Sequence, residues 1–85
     1  MEDLARYGTY LAEEKHASPN TVSSYLRDVT QFAEYLRNEE DCELRDATGK
    51  MIQNYMHWMQ GRGKSAASIT RFLASVKSFY NFLIG

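Results

Sequence analysis

Apolar residues recur at steps of three and four in the last segment of the chain, Ser65 to Leu83. They are Ile69, Phe72, Leu73, Val76, Phe79, Tyr80 and Leu83. This spacing puts them on one side of an α-helix, so the pattern predicts a helix that buries that side. Ser65 stands where an N-cap belongs, and Gly63 and Gly85 mark the ends. The opposite side carries one long cation among small residues: Ala67, Arg71, Ala74, Ser75 and Ser78.

A similar pattern occurs earlier in the chain, where Ser18 stands 47 residues before Ser65. It predicts a helix from Pro19 to about Arg37, with Ser18 as its cap and the proline at the first position, where its missing N–H costs nothing. The side predicted to be buried is Val22, Tyr25, Leu26, Val29, Phe32, Ala33 and Leu36. The side predicted to face outward is Asn20, Ser24, Arg27, Gln31 and Glu34. Internal duplication and convergence both explain the repeat, and either origin gives two long helices that can pack together.

Two further helices complete the pattern. The first runs from Glu2 to about Lys15, with Leu4, Tyr7 and Leu11 inward. The other follows a cap at Thr48, ends near Gln60, and turns these residues inward: Ile52, Tyr55, Met56 and Met59. An acidic loop from Asn38 to Ala47, anchored by Leu44, connects the two halves. No segment alternates with period two, so the sequence predicts an all-α fold, a compact four-helix bundle formed as a single domain over residues 1–85.

Composition excludes several classes of protein. The single cysteine, Cys42, cannot form an intramolecular disulfide, which fits a reducing cytoplasm. Neither His16 nor His57 stands at a metal-ligand spacing from it, and no phosphate-cradling glycine motif occurs, so no metal or other cofactor is predicted. No apolar run approaches the roughly 20 residues that span a bilayer, and the N-terminus lacks signal-peptide form. We therefore expect a cytoplasmic protein that does not enter a membrane.

The charges are unevenly distributed along the chain. Net charge is −1, whereas a dedicated DNA-binding protein is expected to be basic. From Gln60 to the end, however, there is no acidic residue, and the charged residues are Arg62, Lys64, Arg71 and Lys77. This asymmetry permits one positive face on a nearly neutral molecule.

Several short groups of residues, taken in order and spacing, resemble a known family. They are Ser18-Pro19-Asn20-Thr21, Tyr25 with Arg27-Asp28, Phe32, Tyr35-Leu36, Thr48, Tyr55, Gly63-Lys64-Ser65, Ser68-Ile69, Arg71, and Ser75 to Tyr80 with Phe82-Leu83. Together they are similar to the N-terminal core-binding domain of the tyrosine recombinase, or phage integrase, family. The resemblance covers nearly the whole chain, roughly Leu4 to Leu83.

The resemblance implies a SAM-like four-helix domain that forms half of a clamp around double-stranded DNA at a recombination site. In that family a separate C-terminal domain of the same chain cuts and rejoins DNA, and other recombinase subunits assemble on the site. That catalytic domain is absent from these 85 residues, so we expect an excised domain that is not itself an enzyme and has no catalytic residue. Carried onto this sequence, the expected DNA-binding residues are Asn20, Thr21, Ser24, Arg27, Lys64, Ser65, Ser68, Arg71 and Lys77.

The residues also allow other interpretations. Arg71 can be a solvated helix-face arginine, and Arg27 can pair with Asp28 or Glu34. Tyr25 and Tyr80 lie in the buried phase of their helices, which indicates packing and not a nucleophile. Tyr35 and Phe82 lie off the buried side; either the first helix or the acidic loop covers them, or they face a partner. The competing function is a small helical protein-protein interaction module that uses these two aromatic residues and the small-residue side of the last helix.

Overall fold

Four helices joined by short turns make up the computed structural model, which describes residues 2–85. They are α1 (Glu2–Glu13), α2 (Pro19–Tyr35), α3 (Gly49–Gly61) and α4 (Ala66–Ile84). No strand occurs between residues 2 and 85, so the predicted all-α bundle is confirmed. Within the same residues no helix combines the length and the apolar character needed to cross a membrane.

The starts of three helices are fixed by hydroxyl caps at Ser18, Thr48 and Ser65. Each cap residue has extended backbone, and its side-chain oxygen accepts a hydrogen bond from the backbone N–H three residues on, at 3.1 or 3.2 Å. Such a bond satisfies one of the N–H groups that the first helical turn leaves without a partner. The caps predicted from the sequence are therefore confirmed.

The segment between α2 and α3 contains more regular structure than the predicted loop. A π-helical turn, Leu36–Glu40, continues directly from α2, and a short 3₁₀ turn follows at Leu44–Asp46. The chain reverses at Asp41, which adopts left-handed backbone with φ 49°. Leu44 is 2% exposed and anchors the segment as predicted. The Tyr80 hydroxyl donates to the Leu44 carbonyl and ties this segment to α4.

One core is shared by all four helices. Its buried apolar residues are Tyr7, Leu11, Val29, Phe32, Tyr35, Leu36, Leu44, Tyr55, Met59, Ile69, Phe72, Val76 and Phe79. At its centre Phe32, Tyr55 and Phe72 bring one aromatic ring from each of α2, α3 and α4 together, with ring centroids 4.9–5.4 Å apart. Tyr7 adds a ring from α1, placed edge-on to Phe79 at 5.2 Å. Aromatic contacts of this geometry add to the stability that the buried area supplies.

Tyr35 and Phe82, which the helical pattern leaves off the buried side, are both covered. Tyr35 is 9% exposed because α3 lies against it, with its ring 4.9 Å from that of Tyr55. Phe82 is half-buried and contacts Tyr7 and Tyr10 of α1, with centroid distances of 5.7 and 5.0 Å. The covered alternative is therefore correct for Tyr35, although helix three and not helix one or the acidic loop supplies its main cover, and it holds only in part for Phe82, which helix one leaves half-exposed.

Ser75 contradicts the predicted outward side of α4. It is fully buried, whereas the pattern assigns it to the exposed small-residue side. The reason is that α2 packs against this flank of α4 and places Asp28 beside the serine, while Tyr7 of α1 donates to the Ser75 carbonyl at 3.3 Å. A small side chain here permits that close approach.

Candidate nucleic-acid interface

A groove lies where α2, α3 and α4 meet, and three of the residues predicted to bind DNA line it. Lys64 enters from the turn before α4, and Ser68 and Arg71 come from the first two turns of that helix. Gln31 lines the opposite side from α2. The sequence separates Gln31 from this group by more than thirty residues, so helix packing brings them together.

Arg71 forms a paired ion contact across the groove floor. Its Nε and Nη2 donate to the two carboxylate oxygens of Asp28 at 2.9 and 2.8 Å. The carboxyl side chain is 7% exposed and the guanidinium side chain 43% exposed. Because hydrogen bonds to the carboxylate favour the charged guanidinium, they raise the pKa of Arg71 above its usual value. Arg71 is thus a partly exposed residue whose Nε and Nη2 bind Asp28 and whose side chain lines the groove.

A second group of predicted residues lies along one stripe of α2. Asn20, Ser24 and Arg27 follow each other at steps of four and three, which puts them on the same face of a helix. Asn20 and Arg27 are exposed and Ser24 is half-buried. Within residues 2–85, Arg27 makes no ion pair, because Asp28 is turned inward to Arg71. The cation therefore projects into solvent. The next step of four along the stripe is Gln31.

The two helix starts share one arrangement of hydroxyl groups. Ser18 donates to the Thr21 hydroxyl at 3.0 Å, and Ser65 donates to the Ser68 hydroxyl at 3.1 Å. Ser18 and Ser65 each use their hydroxyl proton in this bond. Thr21 and Ser68, whose oxygens accept it, keep their own hydroxyl protons available for another oxygen. Thr21 and Ser68 can therefore each donate to a phosphate oxygen beside a helix N-terminus, where the unpaired N–H groups favour negative charge.

Lys77 lies apart from these residues. It is exposed on α4, six positions after Arg71, which places it about 120° around the helix at 3.6 residues per turn. Of the nine residues predicted to bind DNA, the structure therefore brings Lys64, Ser68 and Arg71 into one groove. Ser65 caps the helix beside them. The structure leaves Lys77 on another flank.

Trp58 and Gln31 extend this surface and are absent from the predicted set, and with them lies Arg62, which the sequence places beside Lys64 among the cations of the possible positive face. Trp58 is 36% exposed, and the guanidinium carbon of Arg62 lies 4.3 Å from its ring centroid. Both residues line a second groove with Gln31 and Lys64, so it joins the first. A sequence signal for Gln31 exists, because it continues the helical stripe of Asn20, Ser24 and Arg27. A signal for the contact between Trp58 and Arg62 also exists, because residues four positions apart lie side by side on a helix.

The functional groups of this surface are mostly hydrogen-bond donors and charged groups. It offers guanidinium, ammonium, hydroxyl and amide groups, and the carboxylates of Glu34 and Glu39 also line the second groove. Across residues 2–85 there is no cluster of three or more histidine, cysteine, aspartate or glutamate residues that could hold a metal ion. The groups present are suited to hydrogen bonding and to charge neutralisation of an anionic polymer.

A family model and several individual relatives of known name match this chain, and they agree with each other. The family model described as phage integrase, N-terminal SAM-like domain, matches residues 4–85. A relative from Caldanaerobacter subterraneus subsp. tengcongensis is 42% identical over 74 residues, which cover 87% of this chain and 25% of that protein. The tyrosine recombinase XerD of Oceanobacillus iheyensis is 34% identical over 76 residues, covering 88% and 26% of the two chains.

The tyrosine recombinase XerC of Myxococcus xanthus is 36% identical over 81 residues, covering 95% of this chain and 27% of that protein. The chain thus spans about a quarter of the length of the curated relatives that it matches. No solved structure matches it with significant similarity.

Proposed function

Because this chain belongs to the family of phage integrase N-terminal SAM-like domains, we propose that it binds duplex DNA at a recombination site. In this role it holds the duplex for strand cleavage and rejoining by a tyrosine recombinase. The chain itself supplies binding and positioning. The chemistry belongs to a catalytic domain of the same full-length protein, and further recombinase subunits bind the same DNA.

One observation carries the proposal: Lys64, Ser68 and Arg71 line one groove with Gln31, and Arg27 projects from the neighbouring stripe of α2. Cations set among hydroxyl and amide donors are the groups that contact phosphate oxygens and base edges. Three carboxylates, Asp28, Glu34 and Glu39, also line the two grooves, and the charge of Asp28 is matched by Arg71. The cations of this surface, Arg27, Arg62, Lys64 and Arg71, outnumber them by one, so a slight positive excess here coexists with a net charge of −1.

The competing function, a protein-interaction module, is not favoured by the residues that suggested it. Tyr35 is buried under α3, Phe82 is partly covered by α1, and Ser75 of the small-residue side of α4 is fully buried. Of these three residues, Tyr35 and Ser75 are therefore unavailable to a partner, and only Phe82 keeps part of its ring exposed.

Binding of a labelled 20-base-pair duplex, followed by fluorescence anisotropy between 50 and 200 mM salt, tests the proposal. If Arg27, Arg62 and Lys64 neutralise one phosphate each, log K falls with log salt at a slope of about −2.7, since each contributes about −0.9 and the charge of Arg71 is opposed by Asp28. Lys64→Gln lowers the slope by about 0.9. Lys50→Gln, an exposed cation at the start of α3 and outside both grooves, is the matched control and leaves it unchanged.

Arg71 stays unchanged in this first experiment, because its removal leaves the buried Asp28 carboxylate without a partner and affects folding as well as binding. Lys77→Gln determines how far the interface extends around α4: a shallower slope brings Lys77 into it, and an unchanged slope confines it to the groove. Absence of salt-dependent binding by the wild-type chain, or equal effects of Lys64→Gln and Lys50→Gln, contradicts the proposal.

A further inference from the structure

Asp28 is the one acidic or basic residue among those buried between residues 2 and 85, and both of its carboxylate oxygens accept hydrogen bonds. Oδ1 accepts from Arg71 Nη2 at 2.8 Å, and Oδ2 accepts from Arg71 Nε at 2.9 Å. The buried hydroxyl of Ser75 lies 3.2 Å from Oδ2 and 2.9 Å from the Phe72 carbonyl, so its one proton is shared between these two acceptors. The carboxylate is therefore held from two helical turns of α4 at once.

Such a pair is weak evidence for a purely stabilising role. The free-energy cost of removing two charges from water is about as large as the gain from their attraction. Apolar residues of similar size often stabilise a core equally well. What the pair does supply is orientation. A guanidinium bound through Nε and Nη2 cannot rotate, whereas a free arginine side chain samples many rotamers.

The hydrogens that Asp28 leaves unused define what Arg71 can bind. A guanidinium carries five N–H donors, and two of them are directed to the carboxylate. The remaining donors include one N–H on each terminal nitrogen, and these two lie parallel along the outer edge of the group. The side chain that carries this edge is 43% exposed and lines the groove with Lys64 and Ser68.

We infer that Asp28 is a positioning residue that makes Arg71 a reader of DNA sequence, by directing the two outer N–H groups to O6 and N7 of one guanine. This inference rests on the proposed function. Two parallel donors match the major-groove edge of guanine, which is the commonest base-specific contact of arginine. Lys64 and Arg27 have no such restraint and contact phosphates irrespective of sequence.

The ion pair also predicts a separate electrostatic signature. Because the Asp28 charge opposes that of Arg71, the pair releases fewer DNA counterions than a free arginine does. Replacing the carboxylate by an amide, Asp28→Asn, frees the cation to follow the nearest phosphate. Discrimination between sequences then falls, while the salt slope on DNA of random sequence steepens by up to about 0.9. A residue with only a structural role does not move these two quantities in opposite directions.

The test is selection from a library of duplexes randomised over 12 base pairs, followed by sequencing of the bound pool. Wild type is expected to enrich guanine at one position by about fivefold or more. Asp28→Asn and Arg71→Lys remove that enrichment, because neither retains an oriented two-donor edge. Asp3→Asn is the matched control: it makes the same change in the other bidentate pair, with Arg45 at 2.8 and 2.9 Å, away from the groove. It leaves the enrichment intact.

Each outcome decides between the alternatives. Persistence of the guanine preference in Asp28→Asn, with an unchanged salt slope, overturns the inference. If that variant does not fold by circular dichroism, Arg71→Lys decides instead, since it keeps the positive charge but cannot donate in parallel; a retained preference there also overturns it. Failure of the wild-type chain to retain any duplex at 50 mM salt is a different result, which overturns the proposed function itself.

Discussion

Raising the pH is expected to unfold this domain through three tyrosines, Tyr7, Tyr55 and Tyr80. Burial raises the pKa of each hydroxyl from 10.0 to about 12, because the ionised form is poorly solvated where these rings lie. The unfolded chain loses the same protons near pH 10. The neutral form is therefore the one compatible with the fold, and stability is unaffected below pH 10 but is lost as the pH rises from there through 12.

The size of the loss follows from these pKa values. At pH 11 an unfolded tyrosine is mostly ionised and a folded one is not, which shifts the folding equilibrium by about 1.4 kcal/mol per residue. Three such residues together remove about 4 kcal/mol. A domain of this size is stabilised by about 4 to 13 kcal/mol at neutral pH. Ionisation at pH 11 therefore removes between a third and all of that stability.

The assay combines two signals over pH 8 to 12.5: absorbance of tyrosinate at 295 nm and helical circular dichroism at 222 nm. We expect part of the absorbance change to coincide with loss of helix, in one cooperative step. Tyr55→Phe removes one titrating group with little change in shape, so it keeps about 1.4 kcal/mol more stability at pH 11 and unfolds at a higher pH. Complete ionisation of all tyrosines near pH 10, with the helical signal intact, refutes this reasoning.

Two further predictions concern the turns and helix starts, measured by urea or thermal unfolding. Gly63→Ala destabilises the domain by about 1 kcal/mol, because φ at Gly63 is +81° and only the backbone conformation opposes a side chain there. Gly61→Ala, on a helical residue with equally open surroundings, is neutral or slightly stabilising, and equal effects of the two changes contradict the explanation. Ser18→Ala and Ser65→Ala each cost about 1 kcal/mol through loss of the cap, and together they add, whereas an unchanged unfolding midpoint in either shows that its cap is dispensable.

The helices could be predicted from the sequence because their signals are local. A serine or threonine cap and a stripe of apolar residues act within a few positions of each other, so Ser18, Thr48 and Ser65 suffice to place three helix starts. The π-helical turn at Leu36–Glu40 gives no comparable signal, since no proline or glycine marks the place where α2 changes its hydrogen bonding. The sequence therefore predicts a helix to about Arg37 and a loop from Asn38, and the π-helical turn crosses that boundary.

The site was less predictable because it depends on which flanks of the helices meet. Helical periodicity distinguishes the inner side of α4 from its outer side but does not say that α2 approaches beside Ser75 and Arg71. The sequence consequently suggests an ion pair between Asp28 and the adjacent Arg27. In the structure Asp28 points into the bundle and binds Arg71, which is 43 residues away. Whether the nine predicted residues contact DNA stays a prediction.

Because Arg62 lies over the ring of Trp58, the fluorescence of this tryptophan can report binding at this surface. Trp58 is the single tryptophan, so any indole emission excited at 295 nm comes from this one place. Its ring is partly open to solvent and lies within 4.3 Å of an arginine that lines the same groove as Lys64. A phosphate that draws Arg62 away changes the polarity at the indole directly. Association with DNA can therefore be followed on the unlabelled chain, at the surface where it is proposed to occur.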